Sequence, residues 1–188
     1  MTSRLTTKIP DDLNEAQREE YDDLVKWRTP QPDGAIGGPF DPWMLSPELS
    51  NRLRGMAGFL WNRTTLDRGL VELAICITGR HWEANVEWAA HAPRAIEYGI
   101  ASEVLDAVFE ERRPDFAPSE QVLLYDVCVT LHQERALPEP LQAEAARVFG
   151  EQGLVELISV IGFYTLVSMT LNTFEIPVAP GLETPFPR

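Results

Sequence analysis

Residues 72–91 read ELAICITGRHWEANVEWAAH, and two of the chain's three histidines lie in this stretch. Apolar side chains recur at positions 66, 70, 73, 74 and 77, a segment that overlaps the start of this stretch. Their spacing is that of one helix face. This spacing predicts a helix over residues 66–78. Gly79 then predicts a turn, and a further helix is expected over residues 82–98. The stretch is therefore expected to form two consecutive helices.

The second of these helices places Glu87 and His91 four residues apart, and thus on one face. Glu72 comes from the preceding helix, and if it is buried there it needs a partner, for which His91 is the natural candidate. A carboxylate beside an imidazole can fix the tautomer of the ring and make it a useful proton carrier. The alternative is structural, because Glu/His pairs with this spacing are common on ordinary solvated helices, and a buried acid can cap a neighbouring helix.

The remainder of the chain also has helical patterns. A helix is expected over residues 11–27, which include Trp27, and a Pro- and Gly-rich loop is expected over 29–42, with a tip that could cover a pocket. Ser46 and Pro47 are expected to start the next helix. Further helices are predicted over 102–111, 119–132, 138–149 and 154–172.

No strand pattern is found, so the fold class is all-α. We divide the chain into an N-terminal helix and loop (1–45), a helical domain (46–176) and a proline-rich tail (177–188).

Composition limits the partners. The 29 acidic and 16 basic residues give a formal charge of −13, which repels nucleic acid and anionic lipid surfaces. Cys76 and Cys128 lie far apart in apolar segments, as expected of buried free cysteines in a reducing compartment, and we expect a cytoplasmic protein. Residues 154–172 are apolar enough to cross a bilayer. We favour the alternative, a helix that is buried in a bundle or a subunit interface.

The chain resembles the superfamily of carboxymuconolactone decarboxylases and AhpD-like alkyl hydroperoxidases. AhpD-like members carry a glutamate, then Cys-x-x-Cys, then a histidine four residues after the second cysteine. Here Glu72 and His91 are nineteen residues apart, as that pattern requires, but Ala84 and Glu87 occupy the cysteine positions. The resemblance also includes the exit Ala95-x-x-x-Gly99 and the later stretch 149–157, and covers most of residues 46–176. It implies an AhpD-like helical bundle that forms homo-oligomers, either trimers or hexamers.

The decarboxylase members imply acid/base chemistry without a metal or organic cofactor, on a small lactone or carboxylated ring compound. On this hypothesis His91 donates or accepts the proton, Glu72 orients it, and Glu87 completes a relay or donates a hydrogen bond. The substrate pocket is expected to be lined by Trp82 and Trp88, with His81 and Ala84 also against the substrate. An ionised Glu87 would repel a carboxylate substrate, which Arg80 or Arg94 could offset, although either arginine is also well explained as a surface residue.

Three alternatives remain open at this point. A peroxidase-type activity follows from the resemblance, but without the cysteine pair it would need an external thiol or an unusually acidic Cys76 or Cys128. A non-catalytic oligomeric binder of small molecules predicts that Glu87 and His91 both point to solvent. A metal site could be built from His81, Glu83, Glu87 and His91, although the resemblance implies none. His132 is expected at the surface.

Overall fold

The computed structural model describes residues 3–5, 10–26 and 28–186. These residues contain helices and no strand, which confirms the all-α prediction. A 3-10 turn at Pro10–Asp12 precedes the α-helices, which are α1 (Glu15–Leu24), α2 (Phe40–Trp43), α3 (Pro47–Asn62), α4 (Arg68–His81), α5 (Asn85–Glu97), α6 (Ser102–Phe109), α7 (Ser119–Glu134) and α8 (Glu139–Thr173).

Helix α4 is the central element, since it packs against α3, α5, α6, α7 and α8. Every residue from Gly69 to Gly79 is buried. The helix begins where the Asp67 side chain accepts a hydrogen bond from the backbone N–H of Gly69, which satisfies one of the free donors of the first turn. Full burial of each large aliphatic side chain contributes about 1.5–3 kcal/mol, so this helix anchors the hydrophobic core.

Two helix starts differ from the sequence prediction. Helix α1 begins after Asn14, whose side chain forms a reciprocal capping box with Gln17, so it is shorter than the predicted 11–27. Trp27 lies outside the described residues. Ser46 occupies the cap position of α3, but its side chain makes no capping hydrogen bond. At that end the helix start rests on Pro47, whose missing N–H costs nothing in a first turn.

The boundary between α4 and α5 also corrects the prediction. Helix α4 continues through Gly79 to His81, and the chain turns instead at Glu83, whose φ of 48° is left-handed. Gly79 is needed for a different reason: a Cβ atom there would lie 3.3 Å from the Cβ of Glu87. The absence of a side chain lets α5 pack very closely on α4.

Helix α8 is 35 residues long and is interrupted at Gly150, where φ is 76° and ψ is 160°. This break matches the two helices that the sequence predicted over 138–149 and 154–172. The helix is long and apolar enough to cross a membrane, but 56% of its most apolar window is buried inside the bundle. Burial of this kind is typical of a core helix in a soluble protein.

The C-terminal residues fold back onto the bundle. Phe186 is buried, and its backbone N–H and C=O bond the Asn85 side chain at 2.8 and 2.9 Å. Its ring stacks on Phe109 and contacts Trp88 edge-on. The last described residue of the tail is therefore fixed beside the start of α5. The division of the chain into three parts stays a prediction.

Candidate functional site

The site is built on the close packing of α4 and α5. Glu72 on α4 and His91 on α5 are both buried, and Glu72 Oε2 lies 2.5 Å from His91 Nδ1. Arg68, one turn before Glu72, bonds the other carboxylate oxygen, Oε1, at 2.5 Å. Glu72 thus has a partner for each oxygen, as a buried carboxylate requires. The sequence-based pairing of Glu72 with His91 is present in the structure.

The pKa of Glu72 reflects two opposing effects. Burial acts to raise it, but the hydrogen bond and charge of His91, with the charges of Arg68 and Arg94, hold it below the ordinary value. An ionised Glu72 can only accept a hydrogen bond. His91 therefore donates its Nδ1 proton to Glu72, which leaves Nε2 as the reactive nitrogen of the neutral ring.

Glu87 lies on the other side of the imidazole. Its Oε2 is 3.4 Å from His91 Nε2, yet this oxygen is buried and makes no hydrogen bond within the described part of the chain. Burial raises the pKa of Glu87, and the charge of Glu72 adds to this, although His91, Arg94 and Arg28 oppose it. Two carboxylates thus flank one imidazole, and their pKa values are shifted in opposite directions. Such pairs are typical of acid/base sites.

His91 and Glu87 line a cavity of about 90 Å³ between α3, α5, α8 and the segment that precedes α3. An engineered cavity of about 150 Å³ binds benzene, so this enclosed space is smaller than one that holds a six-membered ring. Its apolar walls come from several elements and include Phe40, Trp43, Ala57, Trp61, Val86, Phe163 and Val167. A larger cleft of about 550 Å³ lies under the tail, but neither His91 nor Glu87 lines it.

Tyr164 on α8 adds a hydrogen-bond donor to the cavity. Its hydroxyl oxygen accepts a hydrogen bond from the indole N–H of Trp61, and its ring meets His91 edge-on at 5.3 Å between centroids. Burial, with the charge of Glu87, holds the pKa of Tyr164 well above its ordinary value. The phenol therefore keeps its proton. Since the oxygen already accepts from Trp61, that proton is available to an oxygen atom of a ligand.

Two arginines lie at the cavity. Arg94 is on α5, three residues after His91, and Arg28 follows α1 in the N-terminal segment. Gly38, Pro39 and Phe40 from the predicted loop 29–42 line the same cavity as Arg28. Asp41 accepts hydrogen bonds from the backbone N–H groups of Ile36 and Gly37 at 2.9 and 3.0 Å, which fixes this part of the segment. Part of the predicted loop thus forms a wall of the cavity.

Four residues that were expected to contact substrate do not line this cavity. The Trp82 indole N–H bonds Thr165, and Ala84 is buried at the start of α5, where its N–H bonds the carbonyl of Gly79. Trp88 packs on Phe109 and Phe186. His81 stacks on His132, with centroids 4.3 Å apart.

The last contact also corrects the expectation for His132, which is half-buried rather than at the surface. Its Nε2 lies 3.2 Å from the Thr78 hydroxyl. Burial, with the charge of His81, lowers the pKa of His132 to about 4. Arg80 lies on the same side, where it bonds the carbonyl of Phe109 and Glu111. This histidine pair is separate from the candidate site.

The open alternatives can now be compared with the geometry. Cys76 and Cys128 are fully buried, and burial raises the pKa of both thiols, which is the opposite of a reactive thiolate site. Glu87 and His91 are each only 4% exposed, contrary to the expectation for a non-catalytic binder. Glu83 sits in the turn before α5 and is exposed. In residues 3–5, 10–26 and 28–186, no group of three or more His, Cys, Asp or Glu side chains is placed to hold a metal ion.

Sequence reasoning missed four residues of the site: Arg28, Trp61, Arg68 and Tyr164. Only Arg68 had a local signal, since it precedes the buried Glu72 by one helical turn. The other three come from distant segments and reach the site only through the tertiary fold.

Comparisons with known proteins agree on the fold. No family model and no curated protein matches the sequence. Among solved structures, an AhpD-core peroxidase-related protein of uncharacterized function from Ralstonia eutropha JMP134 matches with a TM-score of 0.75 and 17% identity, covering 99% of this chain and 98% of that one. An uncharacterized peroxidase-related protein from Silicibacter sp. TM1040 matches with a TM-score of 0.72 and 12% identity, covering 93% and 91%.

A third match is a debrominase in complex with 2,3,4-tribromopyrrole, with a TM-score of 0.65 and 13% identity over 91% of this chain and 86% of that one. At these identities the likeness concerns the fold and not the reaction. The three matches and the all-helical bundle together give the identification: this chain has the AhpD-like helical fold that the resemblance predicted.

Proposed function

We propose that this protein is an enzyme that performs acid/base chemistry on a small unsaturated ring compound, such as a lactone or a carboxylated ring. The observation that carries the proposal is the 2.5 Å contact between Glu72 Oε2 and His91 Nδ1, which leaves the other ring nitrogen, Nε2, for proton transfer in a residue that lines the cavity. A general acid or base must reach its substrate with a fixed tautomer, and this arrangement provides both conditions.

In a decarboxylation, the bond between the ring carbon and the carboxylate breaks, and its electron pair moves into the conjugated carbonyl. Carbon dioxide leaves, and a proton from Nε2 of a protonated His91 is added to the ring. Tyr164 would donate a hydrogen bond to the oxygen on which negative charge develops, a contribution that is strongest in a buried site. In an isomerisation, neutral Nε2 removes a proton from one carbon and returns it to another. Both reactions use the same residues.

A thiol peroxidase is less well supported, although two of the similar folds are peroxidase-related proteins. Peroxide reduction by a thiol needs an exposed, acidic cysteine, and Cys76 and Cys128 are neither. The third similar fold holds a small halogenated ring, which favours a small planar ring as the ligand of this chain.

Turnover of 4-carboxymuconolactone and related lactone acids by metal-stripped protein tests the proposal. We expect carbon dioxide release or double-bond migration in the wild type, its loss in His91→Ala, and an altered rate in Glu87→Gln. Glu97→Gln is the matched control, because Glu97 is exposed on the same helix. Turnover that persists in His91→Ala would refute the assigned role. Absence of turnover across the whole panel would move the proposal to another substrate class.

We also propose a cytoplasmic homo-oligomer, either a trimer or a hexamer. Two free buried thiols, with no disulfide, suit a reducing compartment.

The support for assembly is a row of exposed apolar side chains on the second half of α8: Val155, Ile158, Leu166 and Met169. Their successive spacings of three, eight and three residues place them on one helix face. Gly162 lies in this row, with nothing near the position of its missing Cβ, so another helix could approach closely there.

A further inference from the structure

Most arginines of this acidic chain are paired with carboxylates. Eight of them lie within 4 Å of an Asp or Glu oxygen: Arg4, Arg52, Arg54, Arg68, Arg80, Arg112, Arg113 and Arg147. Arg28 and Arg94 have no such partner among the described residues, although both line the cavity that contains His91. In a protein with a formal charge of −13, two unpaired cations at one cavity indicate a site for an anion.

Arg28 has no carboxylate oxygen within 4 Å among the described residues, although the charges of Asp41 and Glu87 act on it. Its guanidinium lies 4.7 Å above the centre of the Phe40 ring, and the side chain is half-buried. The two oxygens of Asp41 accept hydrogen bonds from the N–H groups of Ile36 and Gly37, and neither is within 4 Å of Arg28. Arg28 thus lines the cavity without an ion-pair partner at contact distance.

Arg94 has a comparable setting. Its guanidinium lies 5.8 Å from the centre of the Trp61 ring, and the residue is exposed where it lines the cavity. Burial of Arg28 and the like charge of Arg94 both lower the pKa of Arg28, so the two cations are close enough to repel each other. A bound anion would remove this repulsion.

We propose that Arg28 and Arg94 together bind a carboxylate that the substrate keeps throughout the reaction. The inference rests on the proposed function for the identity of the cavity as the reaction site. Planar guanidinium groups match a carboxylate with two parallel hydrogen bonds. With the carboxylate at the mouth, the ring lies inward against the apolar walls and reaches His91, which is one helical turn from Arg94.

The charge of the two arginines decides which carboxylate this is. Loss of carbon dioxide requires the leaving carboxylate to give up its negative charge to the ring, and two guanidinium groups that stabilise this charge in the ground state oppose that step. The carboxylate at the arginine pair is therefore not the leaving group. A substrate for decarboxylation carries a second carboxylate near His91, whereas a substrate for isomerisation needs only one.

The test is equilibrium binding, measured by titration calorimetry, of furan-2-carboxylate and of its uncharged analogue furan-2-carboxamide. We expect the wild type to bind the carboxylate at least about tenfold more tightly than the amide, since each charged hydrogen bond is worth about a tenfold change or more. Arg28→Gln and Arg94→Gln should each abolish this preference. Arg28→Lys keeps the charge without the paired geometry and should give an intermediate preference.

Arg63→Gln is the control, because Arg63 also lies over an aromatic ring, that of Phe59, but is exposed and does not line the cavity. Circular dichroism of each variant establishes that it is folded. Three outcomes would overturn the proposal. They are equal binding of the acid and the amide, no binding of either probe, and an unchanged preference for the acid in both arginine-to-glutamine variants. His91→Ala separates the two hypotheses, since it should lose turnover but keep the carboxylate preference.

Discussion

The indole N–H of Trp61 donates a hydrogen bond to the hydroxyl oxygen of Tyr164. The two residues are 103 positions apart, on α3 and α8. Because the hydroxyl oxygen is engaged as an acceptor, its proton is directed elsewhere, and Tyr164 lines the same cavity as His91. This pair thus connects two walls of the cavity and orients a donor within it.

Tyr164→Phe should therefore lower kcat by about 10²-fold, the usual cost of removing one donor to a developing oxyanion. KM should change little, since the donor acts mainly on charge that appears in the transition state. Tyr98→Phe is the control, because Tyr98 is exposed and does not line the cavity. The measurement is kcat and KM of both variants and of the wild type. An unchanged kcat in Tyr164→Phe would contradict the role of Tyr164 as a hydrogen-bond donor.

Glu72→Gln should reduce both activity and stability. The substitution removes a buried charge that bonds Arg68 and His91, and the loss of one member of such a network costs about 3 kcal/mol. It also removes the acceptor that fixes the His91 tautomer. Glu48→Gln is a matched control, since Glu48 also pairs with an arginine four residues away, but at the surface, and should leave stability unchanged.

The measurement for this pair is urea denaturation with turnover in parallel. If Glu72→Gln were as stable and as active as the wild type, the hydrogen bonds of Glu72 with Arg68 and His91 would contribute neither to stability nor to activity.

Glu87→Gln should stabilise the protein at neutral pH. Burial raises the folded-state pKa of Glu87 above its ordinary value of 4.5, so ionisation of this group favours the unfolded state. The cost to the wild type is absent below about pH 4.5 and grows as the pH rises through the folded-state pKa. Glutamine cannot ionise and avoids it.

Free energies of unfolding measured from pH 4 to pH 8 should consequently show a difference between Glu87→Gln and wild type that increases with pH and then levels off. Glu97→Gln, an exposed substitution on the same helix, should show no such trend. A difference that grows on acidification instead would mean that Glu87 is stabilised as the carboxylate.

The apolar row on α8 makes a prediction about assembly. Light scattering should give a mass three or six times that of the 21.2 kDa chain, and a Leu166→Glu/Met169→Glu double variant should dissociate, because two charges on each copy would be buried. Ile96→Glu is the control, since Ile96 is an exposed apolar residue on α5. A monomeric wild type would refute the proposed assembly.

Much of the helical fold was predictable because helix ends have local chemical causes. Gly99, with a left-handed φ of 91°, follows the end of α5, and apolar spacing identified α4. The failures have local causes as well. Gly79 was interpreted as a turn, whereas it permits close packing inside α4, and the left-handed Glu83 delays α5 to Asn85.

Trp82 and Ala84, which were expected inside this helix, precede it in the structure and do not line the cavity. The pairing of Glu72 with His91 was predictable because it depends only on two adjacent helices. Arg28 and Tyr164 depend on how distant segments pack, for which a single sequence gives no spacing signal.

The missing side chain at Gly79 has a wider consequence. It allows α4 and α5 to pack so closely that the two helices alone set the geometry of Glu72, His91 and Glu87. Most of the other cavity walls come from α3, α8 and the segment that precedes α3, which includes α2. Substitutions in those walls can therefore change ligand size or charge without moving the proton-transfer groups. A fold with this separation can change the ligand that its cavity accepts by small steps while the Glu72–His91–Glu87 arrangement stays unchanged.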